Sequence, residues 1–594
     1  MNKYTHKLLV LGLFVSSVSV FSQIQEERLV LEKKREPEVK KIEKKKTSVE
    51  TIKNYPPEEK SAVPVKYDIT NVPAASDFQT STIAGSDIAP DFQADKQANY
   101  FRVGYGNYSK FLADGTLSTK IEDNLELGAD LHFLSTSGLK KDYAWSSKQS
   151  AANIGAYLNS YGEKGKLNIS ANFGLDDYNL YGIYAMQPDS SVDLQQKVTQ
   201  FKVNGYYDFY SNEILNDVRV KSSFLSDHFD AKESQVSLAA NLSKHGVSLP
   251  ISELKMNADL GVGLESLNSE FSLLNQNHGQ FLNFELSPEL TFRKGESYLR
   301  VGSGFSFLSS KYNDRMALQR DTSNKTYWFP KAELLLAASS EFKFYAGVDG
   351  GLELNSYNEM LSENPFLVSD QLIKPTETKY HFYFGIKGDL DQQFKYDLNG
   401  GFGKVNDLMF FGANPIFDTN DTLNRSAYNY ANTFSALYDN GTLSTVNASV
   451  SYFPLANLAL DAEVNYESYD LDNYSEVYNK PLVKASIGAQ YTMLDKKLHL
   501  GFKGIFASQR TTNSFAVTPV PNPDVPGSML LSASENTNDK VKGYGDLNLS
   551  AEYKIHKNFS IFALGNNLLS SKYETFKGYK VLGAQVVGGV KITF

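Results

Sequence analysis

Leu167-Asn168-Ile169-Ser170-Ala171-Asn172-Phe173-Gly174-Leu175 places an apolar residue at every odd position and a polar residue or glycine at every even one. Side chains that alternate with period two belong to a β-strand, whose successive residues point to opposite faces. One face of this strand suits hydrocarbon and the other suits water. The same device returns with Leu299, Val301, Phe305 and Phe307 against Arg300, Gly302, Gly304 and Ser306. It returns again with Leu498, Leu500, Phe502 and Phe506 against His499, Gly501 and Lys503, and with Val586, Val590, Ile592 and Phe594 against Gln585, Lys591 and Thr593.

Two kinds of connection alternate between such segments. Tight turns fall at Glu122-Asp123-Asn124, Glu163-Lys164-Gly165-Lys166, Arg293-Lys294-Gly295-Glu296, Leu390-Asp391-Gln392, Leu455-Ala456-Asn457, Asp495-Lys496-Lys497 and His556-Lys557-Asn558. Longer polar stretches lie near 137–150, 178–194, 266–278, 309–325, 356–378, 405–430, 511–538 and 570–580. Short turns on one rim and long loops on the other are the layout of an outer-membrane barrel, with the short side periplasmic. Counting through the alternation predicts an all-β, transmembrane antiparallel barrel of about 22 strands over residues 98–594, with both ends on the periplasmic rim. Closure is required physically, because hydrocarbon offers no partner to the unpaired edge of a sheet.

Composition agrees with this and excludes other classes. The 594 residues contain no cysteine, so there is no disulfide framework, thiolate metal site or cysteine nucleophile, as suits export to an oxidising compartment. Mean hydropathy is −0.36 and no apolar run is long enough for a spanning helix, which removes helical membrane proteins but not barrels. The 38 Phe and 36 Tyr are expected mainly on the lipid face and at the rims, where Trp, at 2, is scarce.

The amino terminus has its own organisation. Lys3 and Lys7, the apolar run Leu8–Val20 and the stretch Phe21-Ser22-Gln23 have the layout of a secretory signal peptide over residues 1–22. Residues 23–62 are charge-dense, as in Lys40-Lys41-Ile42-Glu43-Lys44-Lys45-Lys46, and are expected to be an extended periplasmic tether with too little apolar surface to fold. Interleaved glutamates and export argue against nucleic acid as its partner. Residues 63–97 are rich in Pro, Asp, Ala, Ser and Thr and read as an irregular segment that can enter the lumen.

Near the carboxy terminus, Asn567-Leu568-Leu569-Ser570-Ser571-Lys572-Tyr573, followed by Gly578-Tyr579, Gly583 and an alternating strand to Phe594, resembles the Asn-Leu-Phe-Asp-x-x-Tyr element and last strand of TonB-dependent outer-membrane receptors. Leu569 and Ser570 depart from the usual Phe and Asp. The resemblance implies a 22-stranded barrel, a bacterial outer-membrane location, and a terminal Phe594 that signals to the barrel-assembly machinery. The chain is similar to Bacteroidota members of the group. Glu50-Thr51-Ile52 weakly resembles the element that such receptors offer to their periplasmic energy-coupling protein by β-strand addition. Family transporters carry a plug domain larger than the span 23–97, so a full plug is not expected here.

No catalytic, cofactor or metal site is predicted. The histidines are scattered, Ser226-Asp227-His228-Phe229-Asp230 reads as a solvated outer loop, and neither Asp470, Asp472 and Glu476 nor Asp418, Asn420 and Asp421 follows calcium-loop spacing. Arg300, Lys503 and Lys591 are placed on the lumen wall. The expected function is to bind or pass a solute across the outer membrane. The alternative is a non-transporting barrel that serves as structural or assembly partner of another outer-membrane protein.

Overall fold

The computed structural model describes residues 99–594, apart from 189–190, 211–213, 249, 251–252, 315–318 and 420–424. The signal peptide, the tether with Glu50-Thr51-Ile52, and the 63–97 segment lie outside the described residues. A sheet of 22 antiparallel strands closes on itself. The first strand, Tyr100–Gly106, pairs with the last, Gln585–Thr593, from Tyr100↔Thr593 to Gly106↔Val587. Every other barrel strand pairs with its neighbours along the chain.

Alternation explains the two surfaces. In the strand Gly165–Asn179, Ile169 and Phe173 stand 43% and 45% exposed on the outside, while Asn168 on the inside donates to Asn159 at 2.8 Å. Leu299, Val301, Phe307, Leu500, Phe506, Val586 and Ile592 are likewise exposed on the outer wall. All seven predicted tight turns join consecutive strands on one rim. Left-handed backbone at Asp391, Gln392 and Gly295 turns two of them sharply. Both described ends are on that rim: the Phe594 amide donates to the Asn99 carbonyl at 3.0 Å.

The opposite rim differs from expectation in detail. Ladders continue through stretches read as loops: strands run Ser297–Asp314 and Gln319–Ala337, Phe394–Ala413 reaches into 405–430, and 511–538 is mostly a hairpin, Arg510–Pro521 with Met529–Val541. These strands rise beyond the hydrocarbon, where polar side chains are tolerated on both faces, so the composition turns polar before the hydrogen bonding ends. Tyrosine also departs from its expected place. Phenylalanines such as Phe173, Phe201, Phe344 and Phe384 face outward, but Tyr298, Tyr345 and Tyr383 bond to lumen carboxylates and Tyr178, Tyr181, Tyr357, Tyr430 and Tyr579 are buried. A phenol hydroxyl needs a partner that hydrocarbon does not offer.

Candidate functional site

The main buried core lies across one mouth of the barrel. It gathers Tyr178, Tyr181, Tyr357, Met360, Phe366, Leu367, Tyr430, Phe434, Phe576 and Tyr579 with apolar residues from the upper wall. Apart from Tyr178 and Phe434, which lie at the ends of wall strands, these come from connections on the long-loop rim that follow the strands Gly165–Asn179, Lys343–Glu353, Phe394–Ala413 and Phe559–Asn566, well separated around the barrel. Their mutual contacts therefore span the mouth as a roof.

The roof is pinned at its crossing points. The rings of Phe366 and Tyr579 stack with centroids 3.5 Å apart, and Tyr181 meets Tyr579 edge-on at 5.0 Å. Burial removes each phenol from water, and each hydroxyl is repaid by a backbone carbonyl from another loop. Tyr579 donates to Asn432 at 2.6 Å, Tyr178 to Pro365 at 2.5 Å, Tyr181 to Lys580 at 3.0 Å and Tyr143 to Gly578 at 2.5 Å. Burial also pushes the Tyr579 phenol far above its ordinary pKa and raises Tyr184 to about 12. Two glycines permit the approach. A Cβ on Gly182 would lie 2.2 Å from the Tyr579 ring, and Gly578, at φ +85°, would meet the Gly182 carbonyl at 2.3 Å.

Carboxylates tie the roof to the wall. Glu233, buried on the strand Lys232–Ser248, accepts from the backbone amides of Tyr357 at 2.6 Å and Asn358 at 2.9 Å, at the start of the short helix α1, Tyr357–Glu363. Ser356 and Glu359 complete a capping box on the same turn. Asp370 accepts from the amides of Asn275, Gln276 and Asn277 at 2.5, 3.1 and 3.2 Å. Burial outweighs those donors and raises its carboxyl to about 6.

Asp227, from the Ser226–Asp230 stretch, is a third such post. It accepts from the Tyr357 hydroxyl at 3.0 Å, from Gln196 at 3.0 Å, from Ser369, and from the amides of Phe229 and Ala231 at 2.9 and 3.0 Å. The His228 ring packs on Phe229 and bonds neither Ser226 nor Asp227, so no nucleophile and base are aligned there. Sequence periodicity missed these anchors. The one legible signal was Ser356-x-x-Glu359, which marks a helix start.

Below the roof the wall is polar and internally paired. Glu333 accepts from Tyr298, and from Tyr383 at 2.7 Å; Asp397 accepts from Tyr345 at 2.5 Å. Arg300 lies 3.7 Å from Glu289, Lys591 3.1 Å from Glu552, and Arg102 pairs with Asp114 at 2.5 Å. Such a surface can hydrogen-bond a polar solute but positions no reacting group. Among the described residues no three His, Asp or Glu side chains are placed to share a metal. Glu476 of the first calcium candidate pairs instead with Lys540 at 3.2 Å, and Asn420 and Asp421 of the second lie outside the described residues.

The carboxy-terminal motif forms a corner under the roof. Asn567, at φ +47°, donates from its amide to the carbonyls of Ser571 and Leu582, both at 2.8 Å. Leu568 packs against Gly565, where a Cβ would meet its side chain at 2.9 Å. Tyr573 stacks on Tyr544 at 3.8 Å and donates to Asp546 at 3.0 Å. Asn567 and Tyr573 thus turn the last loop back toward the wall. Phe594 follows the final strand directly and is 52% exposed.

No protein-family model matches the sequence, and no curated protein matches it. Solved structures do match. The chain is similar to the closed form of the ferric-catecholate import receptor Fiu from E. coli K12, with TM-score 0.59 and 12% identity over 84% of this chain and 81% of that one. The copper transporter OprC aligns with TM-score 0.55 and 14% identity over 84% and 80% of the two chains. The FrpB iron transporter from Neisseria meningitidis aligns with TM-score 0.57 and 10% identity over 84% and 82%. At such identities the likeness shows a common fold, a 22-stranded barrel shared with import receptors and transporters and with no enzyme among these three.

Proposed function

We propose that this chain is a TonB-dependent-receptor-like barrel of the bacterial outer membrane that binds or passes a solute. The observation that carries the reading is the pairing of a hydrogen-bonded polar lumen with an outer mouth covered by packed loops. A solute moving from outside must displace or slip past that roof before it meets the polar wall. In this reading residues 1–22 direct export, 23–62 form a periplasmic tether, and 63–97 enter the lumen in place of a full plug, as in a Bacteroidota-type member of the group. Glu50, Thr51 and Ile52 would contact the periplasmic energy-coupling protein, and Phe594 would serve the barrel-assembly machinery. Outer-membrane lipid surrounds the wall.

Single-channel conductance of the purified protein, with and without residues 23–97, tests this. A large pore opened by the deletion supports transport. The second reading, a non-transporting partner in an outer-membrane complex, is favoured by the protein-like packing of the roof, in which Tyr357 and Tyr579 are fully buried. A barrel silent in both forms that co-purifies stoichiometrically with another outer-membrane protein would replace the first reading by the second.

A further inference from the structure

A groove runs across the outer wall beside the seam where the sheet closes. It holds about 530 Å³ and is lined almost wholly by apolar atoms. The lining comes from five neighbouring strands, Val483–Met493, Leu498–Ala507, Tyr544–His556, Phe559–Asn566 and Gln585–Thr593. Four spacings of about 4.8 Å make it roughly 20 Å long. On its floor Ala551 and Ala563 stand opposite each other, while the side chains of Leu500, Phe502, Leu549 and Val586 rise exposed around them.

The groove slopes across the membrane. At one end Tyr491 lies two residues from the periplasmic end of its strand, and at the other Val586 lies one residue from the outer end of the last strand. Leu568 borders the outer end, with its side chain over Gly565, the register partner of Val586. Leu568 belongs to the corner from which the last roof loop departs, held by the bonds of Asn567 to Ser571 and Leu582. One surface thus touches both the hydrocarbon and the base of that loop.

Shape and chemistry select the occupant. Lining atoms left without neighbours forfeit their dispersion contacts, so a space of this size in a membrane is filled. The lining offers almost nothing to a hydrogen-bonding solute. An added strand finds no edge to pair with, because the sheet is closed. A spanning helix, about 10 Å across and 30 Å long, is several times larger than the groove. A single acyl chain is narrow, wholly apolar and of matching length. We propose that the groove is a binding site for one acyl chain of an outer-leaflet lipid, which enters beside Val586 and Leu568 and runs down to Leu500 and Tyr491. The seated chain packs on Leu568 and so backs the corner that carries the roof loop. This requires the barrel to lie in the outer membrane and is independent of whether it transports.

Photolabelling of the full chain in vesicles of phosphatidylethanolamine and phosphatidylglycerol tests the site. The probe is a trace of phosphatidylcholine with one diazirine, carried either next to the glycerol or at the end of the acyl chain. The first form is expected to label 564–568 and 585–588, and the second 489–502, well above the rest of the outer wall. Ala563→Phe, which puts a ring on the floor of the groove, should remove most of that label. Ala240→Phe, on the strand Lys232–Ser248 and on the same lipid face as the exposed Val236 and Leu238, should leave it unchanged. Compact mobility on unheated gels confirms that each variant is folded; should Ala563→Phe not fold, the two-probe pattern of the wild type decides alone. Even labelling round the barrel, or label unchanged in Ala563→Phe, overturns the site. The reverse order of the two probes overturns its assignment to the outer leaflet. Label that reaches the groove in these vesicles but not in native outer membranes overturns the lipid as occupant and gives the groove to a protein partner.

Discussion

At the scale of single residues, the roof depends on contacts that one atom can spoil. Gly182→Ala places a methyl where the Tyr579 ring now lies, 2.2 Å away, and should unseat the roof while the barrel stays folded. Protease cleavage within 567–584, with unchanged gel mobility of the barrel, would show this; intact loops would refute it. Tyr579→Phe should be milder, costing about 1–3 kcal/mol because the Asn432 carbonyl loses a buried partner. Asp370 gives the roof a pH dependence. Its folded carboxyl titrates at about 6, above the roughly 3.9 of an unfolded Asp, so the folded chain holds a proton between these values that the unfolded chain releases. The stabilisation is fully present below about 4 and lost as pH rises through 6. Amide exchange at 275–277, corrected for intrinsic rates, should be slower at pH 5 than at pH 7. Asp370→Asn should flatten that difference, and an unchanged slope in the variant would remove Asp370 as its source.

At the scale of elements, helix α1 is the clearest case of a piece held by its surroundings. With 7 residues it is too short to persist alone, and its first turn depends on Glu233 from the wall. Glu233→Ala leaves two buried amides without their charged acceptor, and a loss of about 1.5–3 kcal/mol is expected in the local opening of residues 356–364, read by amide exchange. Ser356→Ala, which removes one neutral cap, should cost about 1 kcal/mol in the same measurement. Equal effects would mean that the wall does not anchor the helix. The strands were legible from sequence because period-two alternation, as at Leu167–Leu175, directly reports a sheet between two solvents. The seven tight turns were legible for a similar local reason. The roof was not, since Tyr181, Phe366, Asn432 and Tyr579 meet only after the chain has gone round the barrel, and nothing local to any of them announces the others. Asp227 was noticed for its neighbours Ser226 and His228, yet its partners are Gln196, Tyr357 and Ser369.

At the scale of the molecule, the decisive event is the meeting of the first and last strands. Gly104 stands opposite Gly589 there, and the Phe562 ring covers both. A Cβ on Gly589 would lie 2.1 Å from the Val103 carbonyl, so Gly589→Val should block closure and abolish the compact gel form. Gly588→Val, whose Cβ has 4.0 Å of clearance on the outer face, should fold normally. If both variants behave alike, the seam does not control closure. The closed sheet itself followed from sequence, because the even strand count and the requirement for no edge left one solution.

The roof joins residue 143 to residue 578, residue 181 to residue 580 and residue 432 to residue 579, so three of the four tyrosine bonds that pin it wait for the final loop. A partly built barrel that lacks the final loop cannot be fully covered, however well its wall is formed. Covering of the mouth is therefore a late report that the circle is complete. A chain stalled before its end would present an open, sticky rim of unpaired tyrosines to whatever machinery inspects it.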